Sequence, residues 1–257
     1  MTEAPPPPPA TGDGTARPTY TVTMGTQTVD VPIVEVAPDV GIALFITFDN
    51  GVGLMERAGA ELAERLAPHR PDIIATNATC GIPVAMEVSR ALGLDDYLVL
   101  QKTKKIHLAD AITRPLRSIT TDTDQELRLD RARRHLVEGR RVVVVDDVIS
   151  TGTSIRAANE LVRAAGGEPV AIGVLLTEGN DWRDLLGADA ALVESLGSIP
   201  VFHRSDDGWE PRASCLGPTT GRPLRTVRSP GPARTAGGPG PRPARSRRRR
   251  RGAPGPP

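Results

Sequence analysis

The sequence predicts an α/β fold: an open, mostly parallel, twisted sheet with helices on both faces. Short apolar runs alternate with amphipathic stretches of helical period through the middle of the chain. Continuous apolar strands of this kind are typical of a parallel sheet that is covered on both faces. Ligands of such sheets bind beyond the carboxyl ends of the strands, so we expect functional residues directly after strands.

Each element is predicted from its own local pattern. The clearest helix has an apolar side chain at every fourth position from Leu54 to Leu66, and Pro68 ends it. In chain order we predict strands at 29–36 and 42–48, a helix at 54–67, a strand at 72–76, a helix at 82–92, strands at 97–100 and 142–145, a helix at 154–165 and a strand at 170–176.

One segment, 103–130, interrupts this alternation. It is long, polar and poor in helical periodicity, although apolar and charged residues alternate at 126–129. A loop of that length inside a compact domain is usually functional or disordered.

The two ends of the chain differ in composition from the middle. Residues 1–210 carry 20 basic and 31 acidic residues, whereas 211–257 carry 12 arginines and no acid. We predict a disordered Pro-rich N-terminus at 1–19, one domain at 20–208 and a disordered Arg/Pro/Gly-rich tail at 209–257, because such ends cannot bury enough apolar surface. Codons for Arg, Pro, Gly and Ala can consist of G and C alone, so we hypothesise that 211–257 is a dispensable extension or out-of-frame read-through of a GC-rich gene.

Several classes of protein are excluded by what the sequence lacks. No apolar run approaches the length of about 18 residues that a membrane span needs, and no secretory signal pattern precedes the domain. Only Cys80 and Cys215 are present, and the four histidines show no ligand spacing. We therefore expect a cytoplasmic protein with no disulfide framework and no metal site built from the chain alone.

The strongest motif is V-V-V-V-D-D-V-I-S-T-G-T-S at 142–154. Its last five residues offer hydroxyls and backbone N–H groups at the start of a predicted helix, which favours binding of a phosphate. Gly152 allows the backbone to approach that phosphate closely. The motif lacks the lysine and the glycine spacing of a nucleotide-triphosphate loop.

Two carboxylates precede this phosphate-binding segment. Asp146 and Asp147 would repel a phosphate, but they suit neighbouring hydroxyls of a sugar, with or without a bridging Mg²⁺. A ribose 5-phosphate fits both halves of the motif. The alternative, an acidic turn followed by a helix cap, would need one hydroxyl and no paired acids.

The 142–154 motif resembles the phosphoribosyl pyrophosphate (PRPP) signature of the type I phosphoribosyltransferases. The similarity runs over 48–202 and is closest to the xanthine and adenine branch, on features at 54–57, 102–104 and 193–196. The resemblance implies the family fold with a small hood, a homodimer, and Mg²⁺ bound with PRPP. It also implies the reaction, in which a purine base displaces pyrophosphate from PRPP to form a nucleoside 5′-monophosphate in purine salvage.

The resemblance also implies a role for individual residues, and a mobile lid at 103–130. Taken alone, the lysines at 102–105 could be a solvated charge run. The implied catalytic residues are Asp146 and Asp147. The implied 5′-phosphate site is Ser150, Thr151, Gly152, Thr153 and Ser154, and the implied pyrophosphate site is Thr79, Cys80, Gly81, Lys102 and Lys104.

The base would lie under the hood, which corresponds to 42–50 and 177–181, with 196–202 closing behind. The implied base-binding residues are Thr47, Phe48 and Glu178. The xanthine enzymes carry a lysine at or beside the position of Glu178 and an asparagine where Thr47 falls. A carboxylate accepts hydrogen bonds and repels carbonyl oxygens, so Glu178 favours adenine. The alternative is that Glu178 is a solvated loop acid.

Two other functions remain open. The base could be xanthine or another base, orotate included, or the protein could be a non-catalytic PRPP-sensing regulator. Such regulators carry a winged-helix domain ahead of the motif, and here we find only a short proline-rich segment. The Arg-rich tail has no aromatic residue to stack on bases, so nucleic acid is an improbable partner.

Overall fold

The structure is a computed structural model that describes residues 17–104, 110–116 and 125–212. Most of the predicted N-terminal segment and nearly all of the predicted tail lie outside the described residues. The division of the chain into 1–19, 20–208 and 209–257 therefore stays a prediction. Within the described residues, no helix is both long and apolar enough to span a membrane.

The described elements begin and end with runs of three strands, and helices alternate with single strands or groups of strands between them. In chain order they are β1 (Thr19–Met24), β2 (Gln27–Ala37), β3 (Val40–Ala43), α1 (Val52–Leu66), β4 (Ile73–Asn77), α2 (Gly81–Leu92), β5 (Tyr97–Leu100), β6 (Ala111–Pro115), β7 (Glu126–Asp130), β8 (Arg141–Ile149), α3 (Thr153–Ala164), β9 (Glu168–Glu178), α4 (Trp182–Leu186), β10 (Val193–Ile199), β11 (Val201–Ser205) and β12 (Gly208–Pro211).

The central sheet has five strands in the order β10-β9-β8-β4-β5, and every neighbouring pair is parallel. The valines at 142–145 are fully buried at the middle of this sheet. Helices cover both faces, which explains why these strands are continuously apolar. The predicted α/β fold is confirmed.

A second, antiparallel sheet forms the hood, with the strand order β1-β2-β3-β11-β12. It packs on α1, α2 and one face of the central sheet through buried side chains such as Met24, Leu62 and Phe202. The backbone N–H of Gly25 donates to the Leu196 carbonyl at 3.0 Å, which joins the end of β1 to β10. The hood is therefore anchored along the edge of the central sheet.

The opposite face is covered by α3, α4 and the antiparallel hairpin of β6 and β7. Leu127 and Leu129 are fully buried, which explains the alternation at 126–129. Gln101 and Arg128 also exchange two backbone hydrogen bonds of 2.9 Å. The segment 103–130 is not one continuous loop, because 111–115 and 126–130 are the paired strands β6 and β7. Its role as a mobile lid stays a prediction, and 105–109 and 117–124 lie outside the described residues.

The predicted strand at 42–48 is also corrected. β3 ends at Ala43, and Thr47–Asp49 forms a 3-10 turn. The Asn50 side-chain amide donates to the Ile46 carbonyl at 2.7 Å, so local hydrogen bonds replace the strand ladder there. Phe45 is buried in the core under the hood, which accounts for the apolar character of the segment.

Candidate active site

The carboxyl ends of β4, β5 and β8 meet at one edge of the central sheet. Thr76 pairs with Val145, and Asn77 pairs with Leu100, so the loops after these strands face one another. Between them lies a cavity of about 230 Å³. Its lining consists of Ala78, Thr79, Cys80, Lys102 and the continuous segment 146–155.

Most of the predicted site residues line this one cavity. They come from three loops that are far apart in the sequence, and the parallel sheet brings them together. The predicted residues in the lining are Thr79, Cys80, Lys102, Asp146, Asp147, Ser150, Thr151, Gly152, Thr153 and Ser154.

The Asp146 carboxyl is buried at the end of β8 and held by two hydrogen bonds. Its Oδ2 accepts from the Asn77 side-chain amide at 3.0 Å, and its Oδ1 accepts from the backbone N–H of Asp147 at 3.1 Å. Burial, and then the adjacent charge of Asp147, raise the pKa of Asp146 to about 7. The hydrogen bond from Asn77 and the charge of Lys102 oppose that rise.

The predicted phosphate-binding loop joins β8 to α3. Gly152 has a φ of +83° immediately before α3, a left-handed conformation that favours glycine. A Cβ at this position would also lie 3.3 Å from Trp182, which is buried beneath the loop. Gly152 therefore fixes the turn that directs the first N–H groups of α3 towards the cavity.

The predicted pyrophosphate loop joins β4 to α2. The Ala78 N–H donates to the Leu100 carbonyl at 2.9 Å, and the Ala78–Thr79 peptide is cis. A Cβ on Gly81 would lie 2.2 Å from Thr76 Oγ1 and 2.7 Å from Asp146 Oδ1. Only glycine allows the start of α2 to come this close to the Asp146 carboxyl.

Cys80 faces the cavity from the same loop. Burial raises the pKa of its thiol, and the nearby carboxylates of Asp147 and Asp146 raise it further. A thiol whose pKa is raised is a poor nucleophile at neutral pH. Cys80 is therefore suited to packing in a tight loop rather than to thiol chemistry.

Glu178 is buried at the carboxyl end of β9, beside the phosphate-binding loop. Its Oε2 accepts a hydrogen bond from the Ser150 hydroxyl at 2.5 Å. Burial raises the pKa of Glu178, while this hydrogen bond lowers it. The alternative that Glu178 is a solvated loop acid was wrong, because β9 continues through the residue and shields it.

Five predicted site residues do not line the cavity: Gly81 and Glu178, described above, and Thr47, Phe48 and Lys104. Thr47 is buried, and its hydroxyl donates to the Cys80 carbonyl at 2.9 Å, so it supports the pyrophosphate loop from behind. The Phe48 side chain is 56% exposed, and Lys104 is exposed two residues beyond Lys102. The roles assigned to these residues stay predictions.

The sequence reasoning missed one polar residue of the site, Asn77. It ends the buried strand β4, one residue beyond the predicted strand, and its amide contacts Asp146. The available signal was the pair of polar residues, Thr76 and Asn77, at the end of an apolar run. Its partner is 69 residues away in the chain, so only the strand register reveals the contact.

The described residues contain no cluster of three or more His, Cys, Asp and Glu side chains that could hold a metal ion. Mg²⁺ does not require such a cluster, because it often keeps several waters and binds one or two carboxylates together with substrate phosphates. The adjacent carboxyls of Asp146 and Asp147 on the cavity wall fit that mode of binding.

Comparison with known proteins shows the family. The family model described as "Phosphoribosyl transferase domain" matches residues 52–204, and the chain belongs to this family. It is 32% identical over 160 residues to the xanthine phosphoribosyltransferase of Laribacter hongkongensis, covering 62% of this chain and 83% of that one. It is 33% identical over 117 residues to the adenine phosphoribosyltransferase of Rhodospirillum centenum, covering 45% and 64%.

The fold has solved counterparts. The crystal structure of adenine phosphoribosyltransferase from Rhodothermus marinus superposes with a TM-score of 0.53 at 21% identity, covering 65% of this chain and 93% of that one. At that identity the likeness concerns the fold alone. The predicted membership of the type I phosphoribosyltransferases and the predicted transferase class are confirmed by the family match and the purine relatives.

Proposed function

We propose that the protein transfers the phosphoribosyl group of PRPP to a purine base, with adenine favoured. The main support for this proposal is that one cavity is lined by a carboxylate pair, a helix N-terminus rich in hydroxyls and a lysine. These three features match the three parts of PRPP: the ribose hydroxyls, the 5-phosphate and the pyrophosphate.

Two walls of the cavity would bind the phosphate groups of PRPP. Residues 150–154 would bind the 5-phosphate through backbone N–H groups and hydroxyls at the start of α3. Lys102 and the N–H groups at 79–81 would bind the pyrophosphate and stabilise the negative charge that it gains on leaving. Binding of these remote groups would hold carbon 1 of the ribose in a reactive orientation.

The carboxylates suit the developing positive charge. The transition state should resemble an oxocarbenium ion, as in glycoside chemistry. Asp146 and Asp147 would accept hydrogen bonds from the ribose hydroxyls on the side where that charge develops. Mg²⁺ bound with PRPP, held by this carboxylate pair and the pyrophosphate, would supply further charge neutralisation at the leaving group.

Glu178 supports the preference for adenine. Its buried carboxyl lies at the end of β9, tied to the loop that would hold the 5-phosphate. A carboxylate accepts hydrogen bonds, so it suits an amino group and repels a carbonyl oxygen. Xanthine is the second candidate base, because the 32% identical relative is a xanthine phosphoribosyltransferase. A cytoplasmic location and a homodimer remain part of the proposal.

The direct test is a turnover assay. Purified full-length protein is incubated with PRPP, Mg²⁺ and adenine, xanthine, guanine, hypoxanthine or orotate in turn, and pyrophosphate release is followed. We expect turnover with adenine at the highest kcat/KM. Turnover with xanthine instead would assign the second candidate, whereas tight PRPP binding without turnover of any base would favour a sensor.

The carboxylate pair gives a first mutational prediction. The double substitution Asp146→Asn with Asp147→Asn should abolish transfer, because both acceptors for the ribose hydroxyls lose their charge. Far-UV circular dichroism and thermal unfolding should show that the fold is retained. Full activity in a folded double variant would rule out the assignment of these residues.

A further inference from the structure

The side chain of Asn77 contacts the Asp146 carboxyl from behind the cavity wall. Asn77 is only 1% exposed, and it does not line the cavity. Its Nδ2 donates to Asp146 Oδ2 at 3.0 Å. No substrate atom could reach this amide without displacing the Asp146 carboxyl.

The sheet register places these two residues together. β4 and β8 are parallel neighbours, and Thr76 pairs with Val145, so the next residue on each strand follows at the same edge. The backbone N–H of Asp147 already binds Asp146 Oδ1 at 3.1 Å. With Asn77 on Oδ2, each carboxyl oxygen has a donor from the protein, and the orientation of the carboxyl group is fixed.

The buried asparagine at position 77 lowers the stability of the fold. The Asn77 Oδ1 is buried and has no hydrogen-bond partner among the described residues, and an unpaired buried acceptor destabilises a fold. The other four residues of β4 are fully buried: Ile73, Ile74 and Ala75 are apolar, and the Thr76 hydroxyl donates to the Val145 carbonyl at 2.9 Å. The contact with Asp146 is the feature that explains the asparagine at 77.

We propose that Asn77 is a positioning residue that holds the Asp146 carboxyl in the orientation in which it accepts hydrogen bonds from the ribose of PRPP. The inference rests on the proposed function, since it takes PRPP as the ligand of the cavity. Asn77 itself touches neither the substrate nor the reacting atoms.

The chain provides a matched control at Asn159 on α3. Asn159 is also fully buried, and its Nδ2 donates to Asp189 Oδ2 at 2.9 Å. Within the part of the chain that the structure describes, its Oδ1 also has no partner. Asp189 lies outside the cavity lining and keeps the Arg163 guanidinium as a partner. The same substitution at Asn77 and Asn159 therefore removes the same chemistry inside and outside the site.

The experiment measures two ligands by titration calorimetry without a base: PRPP in the presence of Mg²⁺, and pyrophosphate in Mg²⁺-free buffer, where no metal links it to Asp146 and Asp147. We expect Asn77→Leu to weaken PRPP binding about ten- to a hundredfold, as loss of a hydrogen bond to a charged group would. Binding of pyrophosphate, which has no ribose, should change by less than about twofold, as should both affinities in Asn159→Leu. A general loss of structure would weaken both ligands together.

Each other outcome overturns a distinct statement. Unchanged PRPP affinity in Asn77→Leu, or an equal loss for PRPP and pyrophosphate, overturns the positioning role. If Asn77→Leu does not fold, the smaller Asn77→Ala is compared with Asn159→Ala by the same criteria. If the wild-type protein binds no PRPP, the proposed function fails, and the role of Asn77 fails with it.

Discussion

The Asp146 carboxyl is buried beside a second carboxyl, and both features make its ionised form unfavourable in the folded state. Its pKa is raised to about 7, against about 3.9 for an aspartate in an unfolded chain. Between these values the folded protein holds a proton that the unfolded chain has lost. The free energy of unfolding therefore falls as pH rises from about 4 to about 7, and the loss is complete above that range.

Asp146→Asn should stabilise the fold while it impairs PRPP binding. At pH 4 the wild type and the variant should unfold at similar denaturant concentrations, because both carry a neutral side chain. At pH 8 the variant should be more stable by about 1 to 3 kcal/mol, since no buried charge forms. Urea unfolding from pH 4 to 8 in Mg²⁺-free buffer measures this difference; a pH-independent difference would contradict it.

Asp189 provides a control of opposite sign. The hydrogen bond from Arg163 lowers the pKa of Asp189, with a smaller contribution from Asn159. The ionised Asp189 carboxylate therefore stabilises the fold at pH values above the pKa of an aspartate in the unfolded chain. This stabilisation is lost as pH falls through the lowered pKa of Asp189 in the folded state. Asp189→Asn should destabilise the protein at pH 7, whereas Asp146→Asn should not.

Glu178 gives a prediction about base preference. Glu178→Gln keeps an oxygen that accepts from the Ser150 hydroxyl but removes the negative charge. The hydrogen bond from the adenine amino group should weaken, because hydrogen bonds to a charged acceptor are roughly twice as strong as those to a neutral one. We expect kcat/KM for adenine to fall about tenfold while the KM for PRPP changes little. Asp184→Asn removes an exposed charge on α4, outside the segments assigned to the base, and serves as control. An unchanged adenine kcat/KM in Glu178→Gln would remove Glu178 from the base site.

At the scale of elements, Gly81 sets how closely the start of α2 approaches β8. Gly81→Ala places a methyl group within 2.7 Å of Asp146 Oδ1 and still closer to Thr76 Oγ1. We expect a loss of about 1 to 3 kcal/mol in the free energy of unfolding, as for other overpacked sites. PRPP affinity should also fall, because relief of the overlap displaces the Asp146 carboxyl.

Gly53→Ala is the matched control for Gly81→Ala. Gly53 lies in α1, where a Cβ would meet only the flexible end of Arg57 at 3.4 Å. Alanine is a better helix former than glycine, so stability should stay unchanged or rise by up to about 1 kcal/mol. If Gly81→Ala behaves like Gly53→Ala in denaturant unfolding and in PRPP binding, the close approach of α2 to the Asp146 carboxyl affects neither stability nor binding.

The elements that the sequence predicted well are those with strong local patterns. The helix at 54–67 and the strand at 97–100 match α1 and β5 closely. The 142–154 motif was predicted because strand, carboxylates, glycine and helix start follow one another in the chain. Local order of this kind needs no knowledge of tertiary partners.

Most of the remaining features depend on partners distant in sequence. β11 pairs with β3, far along the chain, whereas β1 and β12 are short edge strands that pair with their neighbours β2 and β11. The burial of Glu178 results from the continuation of β9, and the contact of Asn77 with Asp146 results from the pairing of β4 with β8. No periodicity within one segment contains that information.

For the whole molecule, the formal charge of +1 combines two parts of opposite sign. Residues 1–210 carry a net charge of −11, and 211–257 carry +12. The cavity, the central sheet and the hood are all formed by residues 17–212. The charged tail is therefore expected to affect association with polyanions rather than the chemistry of the cavity.

A chain that ends at Arg212 tests this separation. The cut keeps every described strand, and it keeps the Arg212 N–H that donates to the Val201 carbonyl at 2.8 Å. We expect kcat/KM for the preferred base and the affinity for PRPP to stay within about twofold of the full-length values, because every residue that lines the cavity lies before the cut. Retention on heparin at low salt should fall sharply, because the remaining acidic chain is repelled by a polyanion. A larger change in turnover or affinity would show that the tail contributes to the site and would contradict its assignment as a dispensable extension.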